Sequence, residues 1–289
     1  MKKDIRIKKF YEKTVETWFL LCAIIAILFL GIISIYLFLE GTPAIFKIGL
    51  KEFILGSKWM PSAEIFGIFP MIIASIYGTL GAIVLGVPIG IFTAIFMAEI
   101  APEPIVKIVR PAIELLAGIP SVIYGFFGLI VIVPIIDNIF GNGGNSLLAA
   151  IIILGIMILP TIVNISESAI REVPKSYKEG SLALGASQIQ TIFRVILPAA
   201  RSGILAGVVL GIGRAIGETM AVILVAGNTP LLPESITDRV RTMTSNIASE
   251  MSYAFGLHQE ALFATGVILF IFIILINVAL HLLVFRSEK

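Results

Sequence analysis

Cysteine, histidine and charge are all scarce in this chain, and each scarcity removes a class of chemistry. A single cysteine, Cys22, permits no internal disulfide, and two histidines, His258 and His281, supply no zinc or haem framework. No Gly-Lys dipeptide occurs, so there is no G-x-x-x-x-G-K-[ST] loop to cradle the phosphates of ATP. The chain also lacks a G-x-S-x-G elbow and an H-E-x-x-H helix, which leaves neither a hydrolase nucleophile nor a zinc-protease site. Asp, Glu, Lys and Arg make up only 14% of 289 residues, where a soluble domain carries about a quarter. The net charge of +2 is too small to imply a nucleic-acid partner.

What fills the chain instead is apolar: 58% of residues are hydrophobic and the mean hydropathy is +1.03. The matching solvent is a bilayer, whose hydrocarbon core about 30 Å thick is crossed by about 20 apolar residues. Charge-free runs predict spans at 18–39, 115–136 and 147–165. The run 65–98 would make about 51 Å of helix, too long for one untilted crossing. Its spanning part is therefore predicted at 71–96, with 66–70 in the outer interface and a kink at Pro88. Spans at 202–226 and 261–285 bring the total to six, in an all-α integral membrane protein read as a single domain over 1–289. An inner loop then covers 171–201, and outer loops cover 40–66 and 227–260.

Orientation follows from the basic residues. Six Lys/Arg precede the first run, which is too long for a signal peptide and lacks a small-x-small cleavage site, predicting an uncleaved anchor. Of 21 Lys/Arg, 15 fall on the side of the N-terminus and five (Lys47, Lys51, Lys58, Arg239 and Arg241) on the other; Arg214 lies within a span. The positive-inside rule then puts both termini in the cytoplasm and the protein in the cell membrane. On the outer side, Ile236, Val240, Met243, Ile247 and Met251 recur at helical spacing. They predict an amphipathic helix that either packs on the bundle or docks an external partner.

The inner loop carries dense helix punctuation. Pro174 suits a first turn, Gly185 a helix end and Ser187 the cap of a second helix, with Pro198 predicted to break the chain before the fifth span. Such a helix-turn-helix leaves Tyr177, Leu182 and Leu184 facing the cytoplasm, where short apolar elements need a partner groove. An ordinary amphipathic connector is the plainer alternative.

These residues resemble the EAA loop of ATP-binding-cassette importer permeases: Glu179 is followed six residues later by Gly185, and the segment closes Val195-Ile196-Leu197-Pro198. Gly180 and Ser181 stand where that pattern has two alanines, and Val195 where it has Ile. The strings FILGSKWMPSAEIFGIFPMI, AIFMAEIAPEP, ELLAGIPSVIYGFFGLIVIVP and GIGRAIGETMAVILVAGN extend the resemblance to phosphate-importer permeases. Trp59 and Pro61, in an extended outer loop, make the chain more similar to their PstC branch than to the sister PstA branch. The resemblance implies a type I importer permease (MetI-like) architecture and a transport subunit without its own ATPase site or cofactor. It implies PstB-like ATPase subunits that bind ATP, a PstA-like second permease and a PstS-like external phosphate-binding protein. Glu179, Gly180, Ser181, Gly185, Leu197 and Pro198 would lodge in a cleft of the ATPase. Inorganic phosphate would be the cargo; sulfate or molybdate, or an ion-coupled secondary transporter, are the alternatives.

Within the fifth span, Arg214 and Glu218 are four residues apart, so on one helix they share a face and can pair. Arg alone at the bilayer centre costs about 2.5–3.5 kcal/mol on insertion scales, so the pair is expected to face the bundle. Gly203, Gly207 and Gly211, and Gly213 with Gly217, let this helix approach its neighbours closely. The resemblance implies that Arg214 and Glu218 belong to the phosphate path, with Arg214 as the guanidinium fork; a static packing pair is the alternative. Asn164, Ser166, Glu167, Asn277 and His281 are given no role, a lone Asn or His in a span being more often an interhelical hydrogen-bond partner than a ligand. Glu99 and Glu114 are expected as solvated interfacial carboxylates, and Phe126 and Phe127 as core. Gly118, Pro120, Gly125 and Gly128 make the third span irregular, for a pathway or for close packing.

Overall fold

A computed structural model describes the backbone of residues 2–286 and the side chains of residues 12–279. His281, Arg286, Lys289 and most of the N-terminal basic cluster lie outside the described side chains. In chain order the elements begin with helix α1 (Lys2–Ile48), the short α2 (Leu50–Leu55) and a hairpin of β1 (Trp59–Met60) and β2 (Ile65–Phe66). The hairpin is antiparallel, with Trp59 opposite Phe66. Helices α3 (Phe69–Ile95), α4 (Glu103–Gly118), α5 (Ser121–Phe127), α6 (Val133–Phe140) and α7 (Leu147–Glu172) follow. The remainder is α8 (Lys175–Ala183), α9 (Gln188–Thr191), α10 (Leu197–Gly217), α11 (Met220–Val225), α12 (Met243–Glu250) and α13 (Leu257–Arg286).

Three π-helical turns occur: Phe96–Ile100 ends the segment begun by α3, while Gly128–Ile132 joins α5 to α6 and Ile192–Ile196 joins α9 to α10. Each ends two residues before a proline, at Pro102, Pro134 and Pro198. The cause is chemical. At Pro134 and Pro198, inside continuous helix, proline has no N–H to donate and its ring crowds the carbonyl four residues back, and widening the turn relieves both; Pro102 lies beyond the helix end, after the extended Ala101. The predicted break at Pro198 is therefore absent: Gln188–Gly217 runs as one 30-residue helical segment.

Among the described residues, six helical segments are long and apolar enough to cross a membrane: Glu12–Ile48, Phe69–Ile100, Ser121–Phe140, Leu147–Glu172, Gln188–Gly217 and Leu257–Ala279. The expected number holds, but several limits move. The first helix continues through 40–48, and the fourth continues past 165 to Glu172. The third begins at Ser121, because Ile119 and Pro120 are extended and hand Leu115 to α4. Helix α4 is amphipathic, with Ile113 buried and Ile105, Ile108 and Leu115 exposed. Phe126 and Phe127 are 56% and 45% exposed, so they are outward-facing and not core.

Helix α7 is the central post. Its face from Leu147 to Ile162 packs with α3, α5 and α11 into the largest apolar cluster. At one end, Ala94, Met97, Ile170, Ile192 and Ile196 form a second cluster beneath the α8–α9 hairpin. At the opposite end, Phe53, Trp59, Phe66, Met71, Met243 and Leu262 form a third, which joins α2, the β-hairpin, α12 and α13. Helix α1 pairs with α13 through edge-on contacts of Tyr36 with Phe263 and Phe38 with Phe270. Its other faces are apolar and exposed from Trp18 to Leu30, as expected of a helix solvated by hydrocarbon.

The amphipathic helix predicted across Ile236–Met251 is shorter than its apolar spacing suggests. Only Met243–Glu250 is helical, and Ile236 is exposed in an irregular stretch. Thr242, Thr244, Ser245 and Asn246 are buried there: the Met243 N–H donates to Ser75 Oγ at 3.1 Å, and Thr242 Oγ1 lies 2.8 Å from Ser245 Oγ. Packing into the bundle, and not a free surface helix, explains the segment.

Candidate functional site

The α8–α9 hairpin is built by local sequence signals. Gly185 adopts φ +86°, a left-handed conformation that only glycine reaches without strain, and ends α8. Its N–H donates to the Leu182 carbonyl at 2.9 Å and the Ala186 N–H to the Ser181 carbonyl at 3.2 Å, closing the last turn. Ser187 and Gln190 form a reciprocal capping box that starts α9. The Ser181 and Thr191 hydroxyls, 2.9 Å apart, hold the two arms together. Glu179, Gly180 and Gly185 are exposed, and a side chain at Gly180 or Gly185 would meet nothing within 4 Å. Leu197 and Pro198 form the first turn of α10, below the hairpin. The capped hairpin thus leaves Tyr177, Leu182, Leu184 and Ile189 exposed, Leu184 at 91%.

Acidic side chains anchor the spans beneath the hairpin, and the sequence reading missed two of them. Glu99 is only 10% exposed and pairs with Lys178 of α8 at 2.5 Å. Glu167, 5% exposed, accepts from both Arg110 of α4 and Arg171, the latter at 2.7 Å. Arg171 also donates to the Met97 carbonyl at 2.7 Å. Glu99 is therefore not a solvated carboxylate; Glu114 is exposed as expected. The available signal was the excess of Lys and Arg in loops next to carboxylates at span ends. Ser166 is buried without a hydrogen bond, and Asn277 is exposed.

The fifth span contains a break. Helix α10 ends at Gly217, Glu218 is extended at φ −69°, ψ 129°, and α11 restarts at Met220. The helical face expected to join Arg214 and Glu218 does not exist. Glu218 Oε1 accepts the Ala221 N–H at 3.2 Å and so caps α11, while its carbonyl accepts from Thr244 Oγ1 at 3.0 Å. Arg214 is half-buried, with no ion pair or hydrogen bond among the described residues, and lies within electrostatic reach of Tyr124. The Tyr124 hydroxyl donates to the Leu116 carbonyl at 2.6 Å, across the helix interruption at Ile119 and Pro120. Two helix interruptions, at 119–120 and 218–219, are thus carried by neighbouring elements, since α5 packs on α11. Close packing accounts for two of the third-span glycines: a Cβ on Gly125 would lie 2.7 Å from Ala221 Cα, and one on Gly128 2.6 Å from a Val225 methyl. Interrupted helices around a guanidinium with unspent donors form a setting that can hold an anion.

The glycines of α10 divide by face. Gly203, Gly207 and Gly211 lie against Ala169, Ile165 and Ile162 of α7, while Gly213 and Gly217 meet nothing within 4 Å. Close approach therefore applies to the first three alone. At the opposite end, Glu250 is a buried hub: it accepts from Arg241, from Trp59 Nε1 at 2.9 Å, and bonds His258 Nε2 at 2.8 Å. It ties α12 to the β-hairpin and to α13.

Comparison with known proteins identifies the family and the fold. The family model for binding-protein-dependent transport system inner membrane components matches residues 86–289. A probable ABC transporter permease protein of Bacillus subtilis, YqgH, is 44% identical and covers 89% of this chain and 86% of its own. The phosphate transport system permease protein PstC of Mesorhizobium japonicum is 36% identical, covering 92% and 88%. A bacterial alginate ABC transporter, solved with its alginate-bound periplasmic protein, shares the fold at TM-score 0.57 and 17% identity, over 91% of this chain and 93% of its own. With six apolar helices and a match across most of its length, this multi-pass membrane protein belongs to the family of binding-protein-dependent transport system inner membrane components.

Proposed function

We propose that this chain is the transmembrane permease subunit of an ATP-driven importer that moves inorganic phosphate into the cytoplasm. The observation that carries the reading is the α8–α9 hairpin, capped on both arms yet displaying Leu184 at 91% exposure. Fixed apolar side chains beyond the membrane spans call for a complementary groove. Because the sequence has no ATP-cradling loop, that groove belongs to a separate ATPase. The hairpin end is then cytoplasmic, as are both termini, and Glu179, Gly180, Ser181, Gly185, Leu197 and Pro198 form the coupling element. A second permease, two ATPase copies and an external phosphate-binding protein complete the complex in the cell membrane.

Phosphate as cargo is supported by the relatives named as phosphate permeases and by the free donors of Arg214. A guanidinium fork suits a tetrahedral oxyanion, and the Glu218 carboxylate accepts the Ala221 N–H and makes no ion pair with Arg214 among the described residues. In mechanism, closure of the ATPase dimer moves the hairpin, the spans exchange outward for inward access, and Arg214 meets the anion as it passes. The ion-coupled alternative requires Arg214 and Glu218 as a coupled pair, which the break at Glu218 separates. Purified from membranes, the chain is expected to bring down a Walker-bearing ATPase. The reconstituted complex is expected to take up labelled phosphate against excess sulfate and molybdate. Arg214→Gln is expected to abolish uptake in a fully assembled complex; full uptake by that variant removes Arg214 from the path.

A further inference from the structure

The π-helical turn Phe96–Ile100, at the end of the second span, receives three separate ties. Lys178 on α8 pairs with the Glu99 carboxylate at 2.5 Å, Gln188 on α9 donates to the Glu99 carbonyl at 3.2 Å, and Arg171 on α7 donates to the Met97 carbonyl at 2.7 Å. Both arms of the hairpin are therefore fastened to one residue. Among the described residues, Lys178–Glu99 is the only side-chain polar bond from α8 to a span; its other such bond, Ser181 to Thr191, stays within the hairpin. The carboxylate is the more buried member, 10% exposed against 37% for Lys178, so water competes weakly for it. Beside this tie lies a cleft of 420 Å³ between α8 and the span ends, lined by Glu99, Lys178, Glu179, Leu182 and Ile196 among others. The π turn departs from the regular ladder of α3 and is followed by the extended Ala101, so regular helix bounds it on one side only.

We infer that Glu99 is the positioning residue through which movement of the hairpin reaches the second span, with the Phe96–Ile100 turn as the element that gives way. The inference rests on the importer reading and adds a specific transmission point to it. Glu99 touches no cargo: it acts through Lys178 and Gln188.

The test uses the whole complex in liposomes and measures labelled phosphate uptake and ATP hydrolysis together. Glu99→Gln and Lys178→Gln, made separately, are each expected to lower phosphate moved per ATP by about tenfold, the worth of one charge-assisted bond, with hydrolysis within about twofold of the unmodified complex. The exchanged pair, Glu99→Lys with Lys178→Glu, is expected to restore most of the ratio. Hydrolysis, uptake and thermal midpoint falling together in both single variants would mean that the pair only holds the fold, and overturns the inference. An unchanged ratio in both, or no recovery in the exchanged pair, overturns it as well. If the unmodified chain recruits no ATPase, the importer reading fails and takes this inference with it; an intact complex with an unchanged ratio sinks the inference alone.

Discussion

Glycine spacing in α10 looks alike along the sequence, but single residues differ according to what faces them. A methyl on Gly203 would sit 2.3 Å from Ala169 Cβ, whereas one on Gly213 would meet open space. Gly203→Ala is therefore expected to destabilise the detergent-solubilised protein by about 1–3 kcal/mol, the cost of overpacking. Gly213→Ala is expected to stay within about 0.5 kcal/mol in the same thermal melt. The repeat Gly203-Gly207-Gly211 was legible as a close-packing stripe, while its limit at Gly211 was not, because it depends on where α7 lies. Arg214 shows the same division. Its residue type and position in a span were plain in the sequence, but its lack of an ion pair among the described residues follows from the turn taken four residues later.

Elements were read best where their boundaries are written in local chemistry. Gly185 and the Ser187–Gln190 box act within one turn of chain, and the hairpin they define appears where expected. Replacing Gly185 by Asp forces a branched side chain into φ +86° and adds a charge to the exposed bend. Co-purification of the ATPase is expected to be lost while the spans still fold, checked by pull-down beside a thermal melt. Helix ends set by distant packing were read less well. Pro198 signals a break, yet the π turn before it absorbs the proline and the helix continues. Residues 236–251 have helical spacing, yet only the last eight before Met251 coil, because the preceding stretch bonds to neighbouring elements. Glu250 governs that region. Glu250→Ala leaves Arg241, Trp59 Nε1 and His258 without their shared acceptor, and is expected to cost about 3–5 kcal/mol, read as a large fall in thermal midpoint.

At the scale of the molecule, exposed apolar surface has two forms. Along the spans it faces hydrocarbon, as with Phe126, Phe127 and Leu210. On the hairpin, Tyr177, Leu182 and Leu184 fall between the apolar segments that end at Glu172 and begin at Gln188. Leu184→Asp is expected to weaken recovery of the ATPase in pull-downs by about tenfold or more, as for loss of a buried interface anchor, without lowering the thermal midpoint. A midpoint that falls instead would make Leu184 part of this chain's own packing.

The sequence by itself determined the solvent, the number of crossings, the absence of an ATP-cradling loop and the capped hairpin, because hydropathy, glycine geometry and helix caps act over a few neighbouring residues. Tertiary structure alone decided which charges meet. Glu99 finds Lys178 across 79 positions, Glu167 finds Arg110 across 57, and Glu260 finds Lys47 across 213, while Arg214 and Glu218, four apart, do not pair. Electrostatic pairing depends on distance in space, and in a bundle of long helices that distance is set by which faces pack together.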